Sequence, residues 1–93
     1  MKTKYSIYRT TLFRKQYKRL EKRGYDMKLL EEVLLKLANG EALPEKYRDH
    51  QMKGDWRGYR NCHILNDWVL LYKCDNGILT LILAKTGTHS DIL

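Results

Sequence analysis

The chain has 93 residues, a formal net charge of +7, and 43% hydrophobic against 31% charged residues. That is enough for one domain with a moderately protected core, and the composition excludes wholesale disorder. No run of about 18 apolar residues occurs, so no membrane span is expected, and the opening MKTKYSIYRTT reads as mature fold instead of a signal peptide.

The excess charge gathers near the N-terminus. Lys2, Lys4, Arg9, Arg14, Lys15, Lys18, Arg19, Lys22, Arg23 and Lys28 face only Glu21 and Asp26 in the same segment. Such asymmetry suits a nucleic acid or an acidic protein, and equally a solvated helix face. Two cysteines without a secretion signal point to a reducing, cytoplasmic setting.

In chain order, KYSIY over 4–8 alternates polar and apolar residues and predicts a short strand. Thr10 or Thr11 then caps a helix to about Arg23, with Phe13, Tyr17 and Leu20 on its apolar line and Gly24 beyond its end. Asp26 caps a second helix that buries Met27, Leu30, Val33, Leu34 and Leu37 and stops at Asn39-Gly40. The short link between them makes an antiparallel hairpin. A long polar connection, NGEALPEKYRDHQMKGD, follows.

The remainder predicts strands over 56–64, 67–74 and 78–85, the last two joined at Asn76-Gly77, a strong hairpin signal. The expected fold is α+β: an N-terminal strand and a helical hairpin packed on a mainly antiparallel four-stranded sheet. If Asn76-Gly77 and Leu65-Asn66 are two-residue turns, Trp68 faces both His63 and Lys85. One face then carries Cys62, Ile64, Val69, Leu71, Ile82 and Ala84 under the helices. The other presents His63, Trp68 and Lys85 in one row, with Asn61, Leu70 and Leu83 beside it. The same register puts Cys62 and Cys74 on opposite faces, against a disulfide.

Three histidines, His50, His63 and His89, fall in the second half of the chain with Asp67 and Lys85. Imidazole suits proton transfer near neutral pH, although each His taken singly is better explained as a surface or structural one. Cys62 and His63 point to opposite faces, and no CxxC or HxxxH spacing occurs, so no metal site is expected. Lys53, Arg57 and Arg60 lie among Trp56 and Tyr59, a mixture suited to phosphates and stacked bases, or to an ordinary strand entry. RNA supplies its own 2′-OH nucleophile, so a base, an acid and a cation suffice to cleave it without a metal.

The segments KYRDHQMKGDWRGYRNCHILNDWVLLYK and AKTGTHSDIL resemble the YafQ branch of the RelE-like bacterial toxins, and the likeness runs through essentially the whole chain. The resemblance implies the toxin of a type II toxin–antitoxin system, an endoribonuclease that cuts mRNA on the ribosome by 2′-OH attack. It implies 2′,3′-cyclic phosphate and 5′-OH ends, and no cofactor. By position, His50, His63, Asp67 and His89 match the family's acid–base cluster, with Lys85 as the cation and His89 or His50 favoured for proton transfer. Trp68 matches an adjacent supporting or base-stacking aromatic, with Arg57, Arg60 and Leu93 as further substrate contacts.

The implied partners are the ribosome with its mRNA and a small acidic antitoxin of the DinJ or RelB kind. Operator DNA is reached only through the antitoxin complex. Arg14, Lys15, Lys18, Arg19 and Lys22 are the residues expected to meet ribosomal RNA or the antitoxin. Three positions depart from the family pattern: Lys85 stands for Arg, Leu93 for Phe and Met52 for Leu. The contrasting expectation is a non-catalytic relative, a gyrase-directed toxin of the ParE branch or an inactive operon regulator.

Overall fold

The helices begin and end where their capping residues stand. In the structure, a computed structural model describing residues 3–92, Thr10 Oγ1 accepts from the Phe13 N–H at 3.1 Å and opens α1, Thr11–Lys22. Asp26 Oδ1 accepts from the Lys28 N–H at 3.2 Å and opens α2, Met27–Ala38. Each such cap contributes about 1 kcal/mol. Gly24 takes the left-handed conformation after α1, with φ of 86°. Phe13, Leu20, Leu30, Val33, Leu34 and Leu37 turn inward together, and full burial contributes about 1.5–3 kcal/mol for each.

Five strands make one sheet instead of the expected four: β1 (Ser6–Arg9), β2 (His50–Gln51), β3 (Arg60–Leu65), β4 (Trp68–Asp75) and β5 (Thr80–Thr88), in the order β1-β5-β4-β3-β2. β1 runs parallel to β5, and every other pairing is antiparallel. The additional strand, β2, is only two residues long. The expected strand from Trp56 starts four residues late, because Gly54–Trp56 winds into a single 3₁₀ turn. After β5 the chain closes into a short helix, α3 (His89–Ile92).

The register corrects the expected faces. β3 and β4 are joined by Asn66-Asp67, with Asn66 at φ 54°, so the turn sits one residue later than expected. Ile64 is an unpaired bulge residue between the His63–Val69 and Leu65–Trp68 pairs. At the other hairpin the Asp75 carboxylate accepts from the N–H groups of Gly77 and Ile78, which lengthens the loop to Asn76–Leu79 and places Leu79 at φ 48°. A second bulge isolates Ala84 between the Leu71–Lys85 and Tyr72–Leu83 pairs.

Consequently Cys62, Ile64, Trp68, Leu70, Tyr72, Leu81 and Leu83 form the face under the helices. Val69, Leu71 and Ile82 fall on the opposite one. Cys62 and Cys74 share the covered face, contrary to expectation, and both are free. Cys62 pairs with Leu70, four residues from Cys74 along β4, and about 13 Å of strand lies between those positions, beyond disulfide reach.

Candidate active site

The uncovered face of the sheet receives Lys85 because the second bulge inverts the alternation of β5. Leu81 and Leu83 point to the helices, so an unbroken strand would send Lys85 the same way. Ala84 inserts one residue, and Lys85 emerges on the uncovered side while Thr86 turns inward. Helix α1 meets this irregularity at its cap: Thr10 Oγ1 reaches the carbonyl oxygens of Leu83 at 2.8 Å and Ala84 at 3.2 Å. Gln16 Oε1 then accepts from the Thr86 N–H at 2.9 Å.

Cross-strand pairing orders the open face into rows. His50 pairs with Asn61, Asn61 with Leu71 and Leu71 with Lys85, so His50 and Lys85 end one row across four strands. At about 4.8 Å per strand their backbones are roughly 14 Å apart. His63 lies in the next row, with Val69 and Gly87. His89 follows at the start of α3, and its N–H donates to the Asp67 carbonyl at 2.8 Å. The C-terminal segment is thereby pinned to the β3–β4 turn that carries Asp67. At Gly87, with φ of 157°, a Cβ would come within 3.1 Å of Ile92 Cγ2, so a side chain here is strained.

Two imidazoles have their tautomer set by backbone carbonyls, which only accept. His50 Nδ1 lies 2.8 Å from the Arg48 carbonyl and His63 Nδ1 lies 3.1 Å from that of Asn66. Each Nδ1 must donate, so each neutral ring turns a free Nε2 lone pair outward. His50 and His89 are exposed, and His63 is half-buried.

The expected row of His63, Trp68 and Lys85 does not form. His63 and Lys85 reach the open face in neighbouring rows, but Trp68 is 2% exposed beneath the helices. Its Nε1 donates to Thr86 Oγ1 at 3.0 Å, and Tyr25 packs edge-on to its ring at 5.1 Å. An indole buried in this way has no face free for a base to stack on. The aromatic next to Lys85 is Trp56, whose ring centroid lies 4.7 Å from the ammonium. Tyr59 stands edge-on to Trp56 at 5.5 Å, with the Lys73 ammonium 5.7 Å from its own ring centroid. Trp56 and Tyr59 therefore stay half-exposed over the sheet, outside the core.

Arg60 is also placed differently from expectation. It lies on the covered side, and its guanidinium grips the Asp49 carboxylate through Nε at 3.3 Å and Nη2 at 3.2 Å. Arg57 remains exposed and lines a shallow cavity of about 290 Å³ with Gln51, Met52 and Lys53. Asn61 is buried within the His50 row, and its Oδ1 has no hydrogen-bond partner among the described residues. Leu93 lies outside the described residues. Among the described residues, no three His, Cys, Asp or Glu side chains are grouped to share an ion.

The basic residues Arg14, Lys15, Lys18, Arg19 and Lys22 are all exposed on α1. Beside them is a cavity of about 410 Å³ lined by Arg9, Phe13, Arg14, Tyr17, Lys18 and Glu31. Partial burial, then the hydrogen bond to Glu31, push the Tyr17 hydroxyl up to about 12, so it remains a neutral donor there.

A family model described as the bacterial toxin of the type II toxin–antitoxin system, YafQ, matches residues 5–93. The mRNA interferase toxin YafQ of Escherichia coli strain K12 is 38% identical over 79 residues, 84% of either chain. The crystal structure of a metal-bound toxin from Helicobacter pylori superposes with a TM-score of 0.90 at 37% identity, over 96% of this chain and 99% of that one. The crystal structure of the E. coli DinJ–YafQ complex gives 0.87 at 34% identity, over 96% and 98%.

Proposed function

The chain belongs to the YafQ family of type II toxin–antitoxin toxins, and from that premise we propose that it is an mRNA interferase cutting translated mRNA on the ribosome by metal-free acid–base catalysis. The observation that carries this reading is the open sheet face, where His50, His63 and Lys85 emerge together and His89 is tied to Asp67.

His50 and His89 are the proton-transfer pair. The free Nε2 of His50 takes the proton of the 2′-OH, whose oxygen attacks the adjacent phosphorus. His89, as imidazolium, returns a proton to the departing 5′ oxygen, which leaves a 2′,3′-cyclic phosphate and a 5′-OH. The Lys85 ammonium, steadied by Trp56, stabilises the charge that builds on the phosphoryl oxygens. His63 and Asp67 flank the pair and orient it. Arg57 holds flanking phosphate, with Leu93 as a further substrate contact. A face open to solvent suits a substrate presented by a large particle better than a small diffusing one.

The exposed cations of α1 dock on ribosomal RNA by phosphate contacts, largely without reading sequence. The DinJ–YafQ complex supports an antitoxin of the DinJ kind for this chain too, and an acidic one complements its +7 charge. Its action is placed in the cytoplasm, where ribosomes and mRNA are; among the described residues no helix is long and apolar enough to cross a membrane. Operator DNA is bound only by the toxin–antitoxin pair.

Primer extension on mRNA from cells making the protein tests the reading. Discrete cuts confined to translated frames are expected. Toxicity without cuts would favour a non-catalytic or gyrase-directed protein.

A further inference from the structure

His50 stands on the weakest element of the sheet. β2 has two residues, and outside its pairing with β3 the segment gains one further backbone bond, from the Met52 N–H to the Tyr59 carbonyl at 2.9 Å. A strand that short does not by itself hold an imidazole to the tolerance catalysis requires. The residue before His50 points to the other side of the sheet and finds a much firmer environment.

Tyr72 is 1% exposed and locked in the core, and its hydroxyl donates to Asp49 Oδ1 at 2.6 Å. Arg60 grips the same carboxylate through two nitrogens. Asp49 is thus held from β3 and β4 at once. The Arg48 carbonyl belongs to the peptide unit whose nitrogen is that of Asp49, and it is the group to which His50 Nδ1 donates at 2.8 Å. Arg48 takes a left-handed backbone, φ 46°, which sets the direction of that carbonyl. The chain of contacts therefore runs from the core to the ring: Tyr72 and Arg60, Asp49, the Arg48–Asp49 peptide, His50.

We propose that Asp49, clamped by Tyr72 and Arg60, is the positioning residue of the site, fixing the ring orientation and tautomer of His50 from the far face of the sheet. The inference rests on the acid–base reading of the open face and extends it to three residues on the other side of the sheet. The charge-assisted character of the clamp is consistent with this. The Arg60 guanidinium is held above its ordinary value chiefly by its hydrogen bond to Asp49, and the Tyr72 hydroxyl is raised first by burial and then by the same partner.

The test uses the full chain with Tyr72→Phe, which removes one oxygen from a residue that stays buried, and Asp49→Asn, which keeps the shape and loses the charge. Each is expected to lower the single-turnover cleavage rate on programmed ribosomes by roughly 10- to 100-fold, leaving the half-saturating ribosome concentration unchanged. In a His50→Ala background neither change costs anything further, because the ring it positions is gone. Nitrogen NMR of His50 gives a readout independent of activity: the parent holds the proton on Nδ1, and both variants shift it toward Nε2. The proposal is overturned if His50 keeps its Nδ1–H form in both variants, or if their losses add in full to that of His50→Ala. Should the parent cut no RNA, the acid–base reading fails, and the tautomer measurement alone decides whether Asp49 sets the ring.

Discussion

The two faces of this sheet are built from the same strands under different rules. The helix-covered face is continuous and apolar, with Trp68, Leu70, Tyr72, Leu81 and Leu83 filling it under Phe13, Leu30 and Leu34. The open face mixes buried Val69 and Leu71 with His50, His63, Lys73 and Lys85. Alternation along the strands separates them, and it brings out His63 as it builds the core. Lys85 is the exception: without the bulge at Ala84 it would follow Leu81 and Leu83 under the helices.

Trp68→Ala gives the largest expected effect: as a core truncation it is expected to cost about 3–5 kcal/mol, measured by urea unfolding. If instead stability is kept and only cleavage is lost, Trp68 acts on the substrate directly and belongs functionally to the other face.

Alkaline pH sharpens the contrast more gently. Burial pushes the Cys62 thiol and the Tyr72 hydroxyl above their ordinary values of 9.0 and 10.0. Above those values the unfolded chain has released protons that the native state retains, so stability falls as pH rises. The contribution is intact below about pH 9 and declines through the region beyond it. Denaturant midpoints between pH 8 and pH 11 should show the fall, with a shallower slope in Tyr72→Phe. Lys85→Arg, on the open face, has the smallest expected effect. Trp56 accepts either cation, so stability stays within about 0.5 kcal/mol, and cleavage stays equal or rises a few-fold through bidentate phosphate contact. A large loss would mean that the site is shaped around the ammonium.

Much of the fold was legible in the sequence because its signals are local. Thr10, Gly24, Asp26 and Asn39-Gly40 bound the helices within a residue, and the buried set of α2 follows from its period. The His50, His63, Asp67 and His89 cluster came from motif resemblance, and the topology gathers those residues on and beside one face. Register was not legible. Whether Asn76-Gly77 forms a two-residue turn depends on the Asp75 carboxylate capturing two amides, and the Ala84 bulge is met by Thr10, 74 residues away in sequence. Trp56 beside Lys85, and Asp49 between Tyr72 and Arg60, depend on the same long-range pairing. No spacing along the chain announces them.

The ends that the cut leaves behind test the acid–base mechanism most directly. Purified protein mixed with ribosomes carrying a defined message should release fragments with 2′,3′-cyclic phosphate and 5′-OH ends. His63→Ala and His89→Ala should each cut the rate by about 10²–10⁴-fold while unfolding like the parent. Fragments with 3′-OH and 5′-phosphate ends, or cleavage unchanged in both variants, would contradict it.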